Sequence, residues 1–361
     1  MRVRFITSTP LNVAQGSGTF VGITALASSL RARGVTVDLI TPSFRFPVYT
    51  LQRLLFNAML PFQRRKNYDV TVGFDMDGYT LAGACPEIYI SSIKGVIADE
   101  MRFESGLTKA TMSVQAACEK LNVNRADFVI TTSQYAAARI QEFYGVSNPP
   151  LIIPEMIDLQ AWDKQMLLNP ADPDPRKFVV LSVCRFYPRK RLHILLGAAQ
   201  RLREKIPELE INIVGGGPEA KPLKKFCQEK GLESVVNLKE NIPQADLARE
   251  YNRCHVFCLP SVQEGFGIVF LEAMASGKAI VAANAAATPE VARHGILVQP
   301  DNEQALANAI ESLYREPARR NSLGAAGRQF AAQFDAPVVA ELFLREIEKL
   351  AGLRAAAIRE A

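Results

Sequence analysis

The sequence predicts an α/β protein built as two doubly wound domains facing each other across a cleft. Three observations carry that expectation. Short apolar runs alternate with longer stretches of helical period, as in parallel α/β sheets. The alternation breaks at residues 169–175, where three prolines fall within six residues, and then restarts. A chain of 361 residues is also too long for one compact core, while 48% hydrophobic and 22% charged residues is an ordinary globular balance.

In the first half the apolar runs at 3–7, 35–41, 70–74, 88–91, 128–132 and 151–153 read as strands. Helical period fills 20–33, 49–63, 108–121 and 134–144 between them. In the second half strands are expected at 178–184, 210–214, 235–238, 256–259, 279–282 and 296–298. Helices are expected there at 192–205, 219–229, 244–251, 268–275, 303–314 and 317–333. We therefore expect a first domain over 1–168 and a second over 169–335. A last helix, at about 336–355, is free to pack back on the first domain.

Composition narrows the function. A net charge of +5 favours anionic partners weakly and lacks the dense basic field of a nucleic-acid binder. The six cysteines include no pair or Cys/His quartet at zinc spacing, so no metal centre is expected and the thiols read as buried and reduced. The run from Cys254 to Cys258 contains His255, but it leads into an apolar segment as a buried strand does. The N-terminal apolar run is too short for a signal peptide, and none approaches the ~18 residues of a membrane span. The expected setting is the cytoplasm, at most its membrane surface.

Several loops look built for phosphate. Gly16-Ser17-Gly18 opens the first helix, where glycines allow close approach and the helix N-terminus offers unpaired N–H groups; a capping turn looks the same. Gly16-x-Gly18 with Asp38 also suggests a dinucleotide fingerprint. Against it, several residues separate the first strand from Gly16, and Asp38 sits inside an apolar run rather than at its carboxyl end. Arg185, Arg189, Lys190 and Arg191 follow the first strand of the second half, where guanidinium forks and a compact ammonium suit a diphosphate. Gly215-Gly216-Gly217 follows the next strand, as a tight turn or as a surface for a base or phosphate.

The most informative stretch runs from Glu264 to Glu272. Two carboxylates flank a Gly265-Phe266-Gly267-Ile268 turn that opens a helix, and Gly277 ends it. Carboxylates accept paired hydrogen bonds from vicinal hydroxyls, so this layout suits a sugar and a ribose with phosphate between them.

Taken in order, these motifs resemble the retaining GT-B glycosyltransferases of family four, the glycosyl transferases group 1. The resemblance covers nearly the whole chain and implies two Rossmann-like domains. It implies that Arg185 and Lys190 hold the donor diphosphate and stabilise the leaving nucleotide, and that Glu264 contacts the donor sugar. Gly16, Gly18, Gly215, Gly216 and Gly265–Ile268 would line the donor, and Glu272 would bind its ribose. The donor would be a UDP-, GDP- or ADP-sugar, with no cofactor and no metal, and the acceptor a glycan or a lipid-linked sugar. The alternatives are a nicotinamide-dependent oxidoreductase, which the Gly16 loop weighs against, and an inactive GT-B member that only binds nucleotide sugar.

Two departures from the family pattern stand out, the first of them on the acceptor side. Lys94 or Gly95 stands where many relatives carry histidine, and Glu155-Met156 replaces the usual Asn-Gly at the entry to the second domain. Lys94, Asp99 and Glu100 are candidate acceptor-side residues, and the same stretch reads equally as a loop and helix cap. Finally, Leu51, Leu54, Leu55, Ala58, Met59 and Phe62 recur at helical spacing before Arg64-Arg65-Lys66. A stripe of this width is expected to face the core; resting on an anionic bilayer is the alternative.

Overall fold

The structure, a computed structural model, describes residues 1–9, 18–63, 67–172, 174–240 and 242–360. The chain divides into two compact units, Met1–Met156 with Ala336–Ala361, and Ile157–Asp335.

The first unit holds a parallel six-stranded sheet of β1 (Arg2–Ile6), β2 (Thr36–Ile40), β3 (Val70–Phe74), β4 (Ile88–Ile93), β5 (Phe128–Thr131) and β6 (Leu151–Ile152) in the order β2-β1-β3-β4-β5-β6. Strands β3 and β4 are buried along their whole length, as strands covered on both faces must be. The order reverses between β1 and β3. Phe5, Ile23, Leu26 and Leu30 form the core with Val339 and Phe343 of the last helix, Ala336–Glu360. Phe343 meets Phe5 edge-on at 6.3 Å, and Arg33 donates to the Pro337 carbonyl.

The second unit repeats the plan with β7 (Phe178–Arg185), β8 (Leu209–Gly216), β9 (Val236–Glu240), β10 (Val256–Leu259), β11 (Ala279–Ala283) and β12 (Ile296–Val298), ordered β12-β11-β10-β7-β8-β9. Here the reversal lies between β10 and β7. Such a switch point leaves a crevice outside the strands' carboxyl ends, where ligands of doubly wound sheets bind.

The proline-rich stretch is not where the units part. A helix at Leu159–Leu168, absent from the expected elements, precedes it and packs wholly within the second unit. Its Trp162 lies edge-on to Tyr251 and donates to Ser276, and Asp163 pairs with Arg328 at 2.6 Å. Pro170 and Pro175 therefore sit on a loop inside that unit, Pro173 lying outside the described residues, and the chain crosses at Met156–Ile157. Prolines report local backbone geometry, which a loop and a linker share.

The stripe on the helix Tyr49–Met59 also departs from expectation. Leu51, Leu55, Ala58, Met59 and Phe62 face outward, while Arg53, Phe56, Asn57 and Leu60 face in. The cause is Asp77, wholly buried just past β3. It accepts from Ser8, from Asn57 (2.9 Å) and from Arg53, whose guanidinium also reaches Gln115. A buried carboxylate must be paired, and the polar face of this helix does the pairing.

Candidate active site

Loops at the switch point of the second sheet bring the sequence-predicted cations and glutamates together. After β7 the chain turns through Pro188–Lys190, and Arg191 adopts a left-handed conformation at φ 52° before the helix Leu192–Leu202. After β10 it runs through Ser261 to Gly267. The two loops are tied by Val262 N–H donating to the Arg189 carbonyl at 2.9 Å and by the Ser261 hydroxyl donating to the same oxygen.

This tie sets Lys190 Nζ 2.6 Å from Glu264 Oε1, with only 11% and 9% of their side chains exposed. At that burial a charge-assisted bond is strong and water competes poorly for either partner. Arg185 ends β7 and is exposed; its guanidinium and that of Arg189 lie 6.0 and 5.0 Å from the Tyr187 ring. Arg191 pairs with Asp301.

The glutamate loop closes at Gly267, whose φ of 91° caps the helix Ile268–Ala275. A β-carbon there would stand 2.7 Å from the Phe270 ring, so both conformation and space require glycine. Phe266 is buried against Phe334. On the helix, half-buried Glu272 accepts from the Tyr251 hydroxyl at 2.8 Å. Burial pushes its carboxyl up to about 7, against the downward pull of that hydrogen bond.

After β8, Gly215 lies against the Cys184 carbonyl, which a β-carbon would approach to 1.8 Å, and Gly217 against the backbone of Phe186. These two glycines let the loops after β7 and β8 pack together. Gly216 is buried and accepts from Phe186 N–H at 2.9 Å. Gly18 begins the helix Gly18–Ala32 in the first unit, and Gly16 lies outside the described residues.

The acceptor-side candidates are all held within the first unit. Lys94, just past β4, puts Nζ 3.1 Å from Glu155 Oε1, both side chains buried. Asp99 is buried with Tyr135 donating to one oxygen and Arg102 to the other. Half-buried Glu100 lies beside Gly95, where a β-carbon would come within 2.8 Å of its carboxylate. Asp38 sits mid-strand on β2 with Arg2 and Tyr68 on its carboxylate, away from the strand end a dinucleotide fingerprint requires.

Residues 164–330 match the family model described as glycosyl transferases group 1. The chain carries a group 1 glycosyltransferase domain. Among curated proteins it is 29% identical over 229 residues to the GDP-mannose-dependent alpha-(1-6)-phosphatidylinositol monomannoside mannosyltransferase of Mycolicibacterium smegmatis, covering 58% of each chain. It is 29% identical over 253 residues to D-inositol 3-phosphate glycosyltransferase 2 of Catenulispora acidiphila, covering 64% of this chain and 59% of that one. It thus spans less than two thirds of the length of the curated relatives it matches. Its fold is shared with sucrose-phosphate synthase of Thermosynechococcus elongatus, with a TM-score of 0.80 at 22% identity over 97% of this chain and 98% of that one. HepE of Anabaena, solved with UDP and glucose, gives 0.74 at 19% identity over 97% of this chain and all of the other. The architecture is therefore the GT-B one that the sequence implies.

Sequence reasoning missed the partners of these groups. Tyr251 for Glu272, Glu155 for Lys94, and the Arg53–Asn57–Asp77 network all join residues distant in the chain. One local signal existed: Asp75-Met76-Asp77 directly follows the largely apolar β3, at the switch point of the first sheet.

Proposed function

We propose that the protein is a retaining glycosyltransferase that moves a hexose from a nucleotide-diphosphate sugar to a glycan or lipid-linked acceptor. The observation that carries this reading is the Lys190–Glu264 pair at the switch point, directly ahead of the Gly267-capped helix. Lys190 and Arg185 supply the positive charge that a departing diphosphate needs, so the reading calls for no metal and no cofactor. Glu264 orients Lys190 and offers its carboxylate to the hydroxyls of the donor sugar. Gly265 to Ile268 present backbone N–H groups to sugar and phosphate, and Glu272 takes the ribose. The leaving phosphate accepts the acceptor's proton as the new bond forms on the same face, a route that requires no separate base. Lys94, Asp99 and Glu100 stand as acceptor-side residues, with Lys94 acting through Glu155. We place the work in the cytoplasm or at the inner face of the membrane, since a lipid-linked acceptor would hold the enzyme there.

Calorimetric titration with UDP-, GDP- and ADP-sugars beside NAD and NADP, without added metal, tests the donor site. Saturable binding of one nucleotide sugar, lost in Glu272→Ala, is expected and names the base. Binding of a nicotinamide cofactor alone would overturn the reading.

A further inference from the structure

The outward face of the helix Tyr49–Met59 and the following Leu60–Phe62 turn is apolar without interruption. Leu51, Leu55 and Met59 are 38, 40 and 53% exposed, and Phe62 is 88% exposed. Phe46 and Val48, just ahead of the helix, extend the same exposed run. Isolated exposed apolar residues are ordinary, but a contiguous run on one helix face marks an interaction surface.

The orientation of this helix is fixed from below. Arg53 and Asn57 are tied to buried Asp77, so the helix cannot roll its leucines inward without stripping that carboxylate of its partners. The apolar face is thus a built feature of the unit.

Charge identifies what covers it. From Leu39 to Tyr68 the chain has no aspartate or glutamate and five arginine or lysine residues. Arg53 is spent inward and Arg45 is exposed; Arg64, Arg65 and Lys66 follow Phe62 almost at once in sequence. An exposed apolar face within a stretch of sequence that carries cations and excludes acids, its last three cations lying outside the described residues, matches an anionic bilayer surface: the apolar side chains enter the acyl boundary and cations of the stretch meet lipid phosphates. A protein partner's apolar patch would give no reason for excluding every acid over such a length. No helix among the described residues is long and apolar enough to cross a membrane, so the face would lie on the bilayer.

We propose that this face of the first unit docks the protein on anionic lipid bilayers, through Leu51, Leu55, Met59 and Phe62. The inference stands on exposure and charge and is independent of whether the protein transfers sugars, so its test needs no donor or acceptor.

The experiment is co-sedimentation of the whole chain with vesicles of phosphatidylcholine alone and with about one third phosphatidylglycerol, at low and high salt. Partitioning to the anionic vesicles should exceed that to neutral ones by at least about tenfold and fall as salt rises. Leu55→Ser/Phe62→Ser should lower it by a further tenfold or so with at most a small drop in melting temperature, because Phe62 is 88% and Leu55 40% exposed. Leu168→Ser, an exposed leucine of the second unit, should leave it unchanged. Equal binding by the double variant, or no preference for anionic vesicles, would overturn the proposal. So would a dimer in sedimentation velocity that the double variant abolishes while vesicle binding is absent, which would assign the face to a second copy of the chain.

Discussion

Lys190 and Glu264 lie 74 positions apart in the chain yet hold an ion pair at 2.6 Å, because they follow the two strands, β7 and β10, that flank the switch point of the second sheet. Both side chains are about nine-tenths buried, so either would be costly to leave without the other. The carboxylate holds the ammonium aimed before any donor arrives, which is the preorganisation electrostatic catalysis requires.

Lys190→Ala should therefore lower kcat by roughly a hundredfold to a thousandfold while raising the donor KM far less, the pattern of an interaction strongest in the transition state. It should also cost stability, on the order of 3–5 kcal/mol, by leaving Glu264 buried without its partner. Lys190→Met with Glu264→Gln separates the effects: urea unfolding should recover much of the loss, and turnover should not recover. Recovered turnover would remove Lys190 from the chemistry.

Glu272 gives a pH dependence whose sign follows from its environment. Its carboxyl is raised from an ordinary 4.5 to about 7 by burial. A carboxyl raised in the folded chain favours folding below its unfolded value, and that advantage is lost as pH rises through the folded one. Unfolding free energy should thus decline between about pH 5 and pH 8, and Glu272→Gln should flatten the decline. Hydroxyl donors of a ribose would stabilise the ionised form, so donor binding near neutral pH should release protons, read as a buffer-dependent calorimetric enthalpy. Glu272→Ala should weaken donor binding by about tenfold to a hundredfold.

The residues proposed for the donor were legible as a group because their placement is local: Glu264, the Gly267 cap and Glu272 fall within one loop and one helix, and strand ends place Arg185 and Lys190. Legibility failed wherever burial was set from afar. Periodicity separates the two faces of the helix Tyr49–Met59, but which face turns inward depends on Asp77, twenty residues beyond Asn57. The helix Leu159–Leu168 is docked by Trp162 on Tyr251 and Ser276, contacts that no local pattern announces.

The two departures from the family pattern turn out to touch. Lys94 and Glu155 form one buried ion pair at 3.1 Å, and Glu155 Oε2 has no hydrogen-bond partner among the described residues. Lys94→Met and Glu155→Gln should each destabilise the first unit, the former by on the order of 3–5 kcal/mol, because each leaves its partner buried alone. The double variant should lose less than the sum, with a coupling of about 1–3 kcal/mol in urea unfolding. Additive losses would mean the two substitutions are unrelated.

Arg53 carries the last prediction, since it decides which way its helix faces. Its guanidinium reaches Asp77, Ser8 and Gln115 with 7% of the side chain exposed, and Asp77 is fully enclosed. Arg53→Met keeps an unbranched apolar stem but removes every donor, so among the described residues Asp77 retains the side chains of Ser8 and Asn57. The loss should be on the order of 3–5 kcal/mol and concentrated in the first unit. Hydrogen exchange should then rise across the helix Tyr49–Met59 and the turn after β3, while β7 to β12 stay protected. Uniform loosening of both sheets would mean that the network supports the whole chain rather than this one helix. An unchanged melting temperature would mean that the helix is held by Phe56 and Leu60 alone.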